Sequence, residues 1–433
     1  MTFKEGLYQA RSHIVFILAL IATFSLVIGL ETWDPDFGLA EVKHSKNIPA
    51  PEPEPLSPKE QAWAKNAWTY FEVNLQPKTG LVDGLHGRPM ASVEDMGDYL
   101  SALIAAQKLD IISDAMFDQR MEKALETIAV LPLVSQVLPN RYYHTQTLDM
   151  VDAQGVSVPQ GVGWSSVGIS RLILPLQNMV WSQPKYVEKI RQILKSWQAK
   201  RLVSDGVLYQ AYRDKDQVLQ YQSEGRIGFQ EYAARVLGLM GLEPYLSRQY
   251  RFYLQWENVL GIKVPIDLRG VYGLSDYTTG TSDPYVFHGL TFGWDMISRE
   301  LAYRVYRVQE QRHWQTSQKT AVGMSYTDRA SDQVVYAVFA HDRAWVCVTS
   351  DQKISDANRT VDLAMAFGWW ALYRTPYAQT LVNQMANLND PQFGWYAGQY
   401  EDDKSTNKAL TCRTNAWVLQ ALCYKANGPL FAF

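Results

Sequence analysis

Cysteine is scarce in this chain: Cys347, Cys412 and Cys423 are the three in 433 residues, and none stands in a Cys-x-x-Cys or Cys/His spacing. That pattern gives no basis for a structural zinc. One disulfide with one free thiol stays open for an exported chain, with no pair favoured. A basic excess is missing too. The net charge is -3 and the isoelectric point about 6.2, so nucleic acid is not an expected partner. No nucleophile elbow, P-loop, dinucleotide fingerprint, His-Glu-x-x-His or EF-hand run occurs, which removes the minimum parts of several common chemistries. Neither a metal nor a cofactor is expected.

One run has no charge at all. Ile14 to Leu30 is uncharged over 17 residues, about the lower limit for a helix that spans a bilayer. Lys4 and Arg11 precede it, Glu31, Asp34 and Asp36 follow it, and Trp33 supplies an interfacial aromatic. The charge bias predicts a single-pass anchor in a bacterial inner membrane, with residues 1–13 cytoplasmic, 14–30 spanning and the remainder in the periplasm. A cleaved signal peptide is the competing reading, but no small-x-small cleavage site follows the run, which favours an uncleaved anchor.

Residues 31–57 read as a linker, since Ile48 to Ser57 alternates proline with acid and should be extended and semi-rigid. Ser57-Pro58-Lys59-Glu60 then resembles a helix start, with a capping Ser, Pro at the first position and Glu at the third. Twelve helix-like segments follow, near 58–75, 93–109, 113–131, 165–181, 184–201, 228–240, 243–257, 284–297, 298–317, 358–373, 375–389 and 407–426. They fall into six pairs separated by glycine-aromatic turns. Residues 58–433 are therefore expected to be an all-α domain, an (α/α)6 toroid of six helical hairpins. The β-rich stretches 332–341 and 344–349 read as a small inserted β-hairpin.

In such a ring the chemistry comes from loops at one end, and carboxylates are what remain once the other motifs are gone. Aromatics reach 12%, enough for stacking surfaces as well as core. Glycosidic cleavage needs a protonated acid at the leaving oxygen and a second carboxylate that activates water or attacks the sugar. Glu224, Arg226 and Glu231 sit where a glycine-rich loop enters a helix; the plain alternative is a capped helix with a surface ion pair. Asp283, in Ser282-Asp283-Pro284-Tyr285, and Asp95, in Ser92-Val93-Glu94-Asp95, carry the same ambiguity with an ordinary cap. Trp395, Tyr396, Tyr400 and Glu401, followed by Asn407 and Asn415, form a polar-aromatic cluster of the kind that lines pockets. Asn140 to Thr145 and Gly163-Trp164-Ser165-Ser166 offer a further wall, in which His144 reads as a surface residue.

Five stretches in collinear order carry a resemblance: Ala91 to Gly97, Glu224 to Ala234, Val264 to Arg269, Ser282 to Tyr285, and Gly394 to Gly398 through Asn415. Together, over about 60–428, they resemble the bacterial domain of unknown function 3131, which is similar to six-hairpin, glucoamylase-like glycosidases. The resemblance implies an (α/α)6 barrel with a carbohydrate role in the envelope. Glu224, Arg226 and Glu231 match its Glu-Gly-Arg run, and Asp95 its acid after Ser. The sequence departs from the pattern at Asp283 (Glu expected), Gly168 (an acid expected), Gly323-Met324-Ser325 (an acidic pair expected) and Gln420 (Glu expected). On this reading Glu224 and Asp283 are the catalytic pair. Asp95, Trp164, Arg226, Glu231, Tyr285, Trp395, Tyr396, Tyr400, Glu401, Asn407 and Asn415 bind substrate. The expected partners are a poly- or oligosaccharide, the inner membrane and proteins of an exopolysaccharide system. Two alternatives stay open: a non-catalytic glycan-binding or assembly accessory, and a helical protein-interaction scaffold.

Overall fold

Ser57 begins a helix as the sequence predicts: its hydroxyl caps Glu60 N while the Glu60 carboxylate reaches back to Ser57 N. The computed structural model describes residues 42–271, 280–351 and 353–431, together with Val15, Ile17, Leu20 and Thr23. The chain divides into two units, Met1–Glu41 and Val42–Phe433. In the first, the four described residues are helical and exposed, and the rest of the expected anchor over 14–30 lies outside the described residues. Among the described residues no helix is long and apolar enough to cross a membrane.

The second unit is built from helices α1 (Pro58–Val73), α2 (Val93–Lys108), α3 (Asp114–Val130), α4 (Ser166–Ser182), α5 (Val187–Ser196), α6 (Phe229–Gly238), α7 (Asp283–Phe292), α8 (Met296–Thr316), α9 (Leu363–Tyr373), α10 (Pro376–Met385) and α11 (Cys412–Asn427). Helices α2, α4, α6, α7, α9 and α11 pack in that order, and α11 packs back on α2, which closes an inner ring. Helices α1, α3, α5, α8 and α10 lie outside them. The inner helices approach closely where side chains are small. A Cβ on Gly97 of α2 would lie 2.4 Å from the Arg171 carbonyl oxygen of α4, so only glycine permits that contact.

The sixth outer helix, expected over 243–257, is absent. Turns and a 3-10 segment lead instead into strands Leu254–Val259 and Ile262–Asp267, paired antiparallel. Leu260 and Gly261 take φ of 51° and 81° in the two-residue turn between them, the backbone that favours a tight hairpin. The all-α expectation is corrected more widely, because every long connection from an outer helix to the next inner one carries strands. Those that matter for the site are β1 (Met90–Ser92), β2 (Tyr142–His144), β3 (Gly163–Trp164), β4 (Val207–Arg213), β5 (Leu219–Ser223), β6 (Leu254–Val259), β7 (Ile262–Asp267), β8 (Met324–Thr327), β9 (Asp332–Ala340), β10 (Arg343–Thr349), β11 (Thr360–Asp362), β12 (Gly394–Tyr400) and β13 (Thr406–Leu410). The inserted hairpin is β9–β10, and β8 adds a third strand to it. Most return connections from inner to outer helices are only a few residues long. The elaborated loops therefore gather at the N-terminal ends of the inner helices.

Candidate active site

The N-terminal ends of six inner helices carry free backbone N–H groups and a partial positive charge, so side-chain acceptors collect there. Ser92, Ser165, Asp362 and Thr411 cap α2, α4, α9 and α11. Gly228 has no side chain to cap α6, and Glu231 reaches back to its N–H at 2.6 Å.

Glu224 lies just beyond β5 and aims at the start of α4. Its carboxylate accepts from Ser165 Oγ and Ser166 N at 2.5 Å each and from Val167 N at 3.2 Å. Burial pushes its pKa up, against the pull of Arg141 and these bonds. Glu94, in the first turn of α2, also meets the first turn of α4: a Cβ on Gly168 would lie 3.0 Å from its Oε1. Against this turn lies a small depression of about 40 Å³ lined by Ser92, Glu94, Asn140, Arg141, Tyr142, Ser165 and Gly168. Arg171, buried on α4, pairs with Asp98 and lies 3.9 Å from Glu94. Burial raises the Asp98 carboxyl to about 6.

A second cluster adjoins it. Arg413, at the start of α11, pairs with Asp283 and with Asp362, the latter at 3.3 Å. Asp283 also accepts from Met324 N at 3.1 Å, and Asp362 from Ser325 Oγ at 2.5 Å. Trp417 joins the two clusters, with the Arg171 and Arg413 guanidinium carbons 5.4 and 4.6 Å from its ring and its indole N–H on Asp98 at 3.2 Å. A third group surrounds Glu231, whose carboxyl burial raises to about 8. Asp267 beside it is held by Arg269 and Ile227 N.

The predicted residues thus share one end of the ring without sharing one surface. Asp283 is fully buried in its ion pair, whereas Glu224 is half-buried against the first turn of α4. Asp95 completes the α2 cap, accepting from Ser92 N and Oγ. Arg226 lies over Phe229 at 5.2 Å. Trp164, Tyr285, Trp395 and Tyr400 are all 2% exposed or less, so they offer no open face for stacking. Trp395 donates to Trp63 O, and Tyr400 bonds Thr327 and Asp328. Tyr396 is half-buried, with its hydroxyl 3.3 Å from Asp390. Glu401 is clamped by Arg312 at 2.8 and 3.2 Å and by Tyr336. Asn407 and Asn415 are fully buried and bond main chain, at Tyr326 O and Trp395 N respectively. Sequence reasoning passed over Asp98, Arg171, Asp362 and Arg413. Their signal was a charge inside or beside an otherwise apolar helix, a pattern that demands a buried partner. Among the described residues no group of three His, Cys, Asp or Glu is arranged to hold a metal.

A closed ring of six inner helices, five of them paired with an outer one, and with acids and arginines gathered at one end, is a toroid of the (α/α)6 type. A candidate glucoamylase from Bacteroides fragilis NCTC 9343 superposes with a TM-score of 0.63 at 12% identity, covering 90% of this chain and 95% of that one. An endo-β-1,2-glucanase from Chitinophaga pinensis, in complex with sophorotriose and glucose, does so at 0.62 and 11% identity, covering 87% and 94%. At such identities the likeness is one of fold. No curated protein matches the sequence. The chain belongs to the family described as "Protein of unknown function (DUF3131)", whose model matches residues 62–428.

Proposed function

We propose that this protein hydrolyses a glycan, with Glu224 as the proton donor and Glu94 as the second carboxylate. The observation that carries the reading is the approach of these two carboxylates to one helix turn, beside a depression lined by Glu94, Arg141 and Ser165. A raised carboxyl suits a group that must arrive protonated at the leaving oxygen. Asp283, the partner expected from sequence, instead holds Arg413 in place. The test is reducing-end release from β-1,2-glucan, starch and other polysaccharides by Glu224→Gln, Glu94→Gln and Asp283→Asn. Each of the first two is expected to lose about 10²–10⁴-fold in turnover. Undiminished release by both would sink the assignment.

The second reading is a non-catalytic glycan-binding protein, favoured by the burial of Asp283 and by the four departures from the family pattern. Tight binding without release of reducing ends by the parent chain would select it. The uncharged run at 14–30 and its flanking charges support tethering to the inner membrane with the ring in the periplasm. Recovery of the full chain in a salt-washed soluble fraction would contradict that placement.

A further inference from the structure

The strand pair β4–β5 leads directly to Glu224, and its two faces differ. Strand β4 pairs with β5 in the register Gln210 with Gln222 and Tyr212 with Gln220, and the Glu224 N–H continues the ladder to Leu208 O at 2.7 Å. Because strand side chains alternate, Glu224, Gln222 and Gln220 share a face with Leu208, Gln210 and Tyr212. The opposite face holds Ala211 and Tyr221 against Trp164. On the Glu224 face Leu208 is buried, Glu224, Gln210 and Gln220 are half-buried, Gln222 is exposed, and Tyr212 is 38% exposed. Gly163 pairs with Tyr212 from the third strand, so no side chain stands beside the phenol there. Arg141 joins this face to the depression, since it lines the depression and donates to Gln210 Oε1 at 2.5 Å.

The hairpin is also held still. Arg213 donates to Gly161 O, Gln160 O and Gln217 O at 2.8–3.0 Å, and Asp214 accepts from Asp216 N, Val218 N and Gln220 Nε2. A flat phenol flanked by amides on a rigid strand pair suits a pyranose, offering an apolar face and donors and acceptors for ring hydroxyls at little ordering cost.

We infer that Gln210, Gln222 and Tyr212 form a distal subsite that holds a polysaccharide chain running outward from Glu224 along β4–β5. From Glu224 to Gln220 is four residues, about 13 Å at 3.3 Å each, about the length of two or three linked pyranose rings, so a disaccharide held at Glu224 falls short of the full path. This inference rests on the proposed glycan reading, and the experiment separates the two. Full-length chain carrying Glu224→Gln is tested for binding to linear β-1,2-glucan, soluble starch and the disaccharide of each, alone and with Tyr212→Ala or Gln222→Ala added. The preference for a polymer over its disaccharide is expected to fall about tenfold in Tyr212→Ala, and to be unchanged in Trp314→Ala, an exposed tryptophan on the outer helix α8. Binding in which Tyr212→Ala and Gln222→Ala leave that preference intact overturns the subsite alone. No binding of any probe by the parent or by Glu224→Gln overturns the glycan reading and the subsite with it.

Discussion

Glu231 shows how one side chain ties this fold to pH. Its carboxyl is buried, accepts from Gly228 N and Gln230 Nε2, and lies near Asp267 with no cation paired to it among the described residues; burial raises it from 4.5 to about 8. Between those values the folded chain keeps a proton that the unfolded chain has lost. The penalty is absent below about pH 4, grows as pH rises, and is complete above about 8. Glu231→Gln keeps an oxygen for the Gly228 N–H and removes the titration. Thermal melts from pH 5 to 9 are expected to show the parent losing stability relative to Glu231→Gln as pH rises, by an amount of order a few kcal/mol. A gap between the two that does not change with pH would mean that Glu231 stays ionised in the fold.

Among elements, the caps were the most legible part of the sequence. Ser57 with Glu60, Ser92 with Asp95, and Ser113 each begin a helix where their spacing predicts, because a cap is a local interaction over three residues. The missing outer helix shows where such reading fails. Apolar residues from Leu242 to Trp256 keep a helical spacing, but Gly241 and Pro244 break its start, and the turn at Leu260-Gly261 pairs the later residues across a hairpin. Periodicity within one window carries no information about a partner strand that follows it. Glycines divide in the same way between local and tertiary demands. Gly97 sits where α2 meets the α4 backbone, so Gly97→Ala forces the helices apart and is expected to cost about 1–3 kcal/mol. Gly238, at the end of α6, has open space where a Cβ would go, and Gly238→Ala is expected to stabilise by up to about 1 kcal/mol. Urea midpoints read both; a stable Gly97→Ala would show that the α2–α4 contact has slack.

For the whole molecule, the decisive fact is that the last helix packs against the first inner one. That closure could be expected from six hairpins in the sequence, but the ion pairs that line it could not. Arg171 with Asp98, and Arg413 with Asp283 and Asp362, join residues 51 to 130 positions apart, and only the ring brings them together. Closure also distinguishes this domain from an open stack of hairpins. In an open stack, losing the terminal repeat forfeits one interface and leaves the rest folded. Here α11 packs on α2, α9 and α1, and it carries Trp417 and Arg413 into the interior. Removing it strands Asp283 and Asp362 without their cation, a change that for buried pairs costs about 3–5 kcal/mol. A chain ending at Leu410 is therefore expected to lose its near-UV circular dichroism and its cooperative urea transition across the whole domain, rather than a share proportional to one helix. A truncated chain that kept the parent's midpoint and near-UV spectrum would mean that the hairpins stand as independent neighbours, and that a site assembled at the ring's end needs no closed ring to hold it.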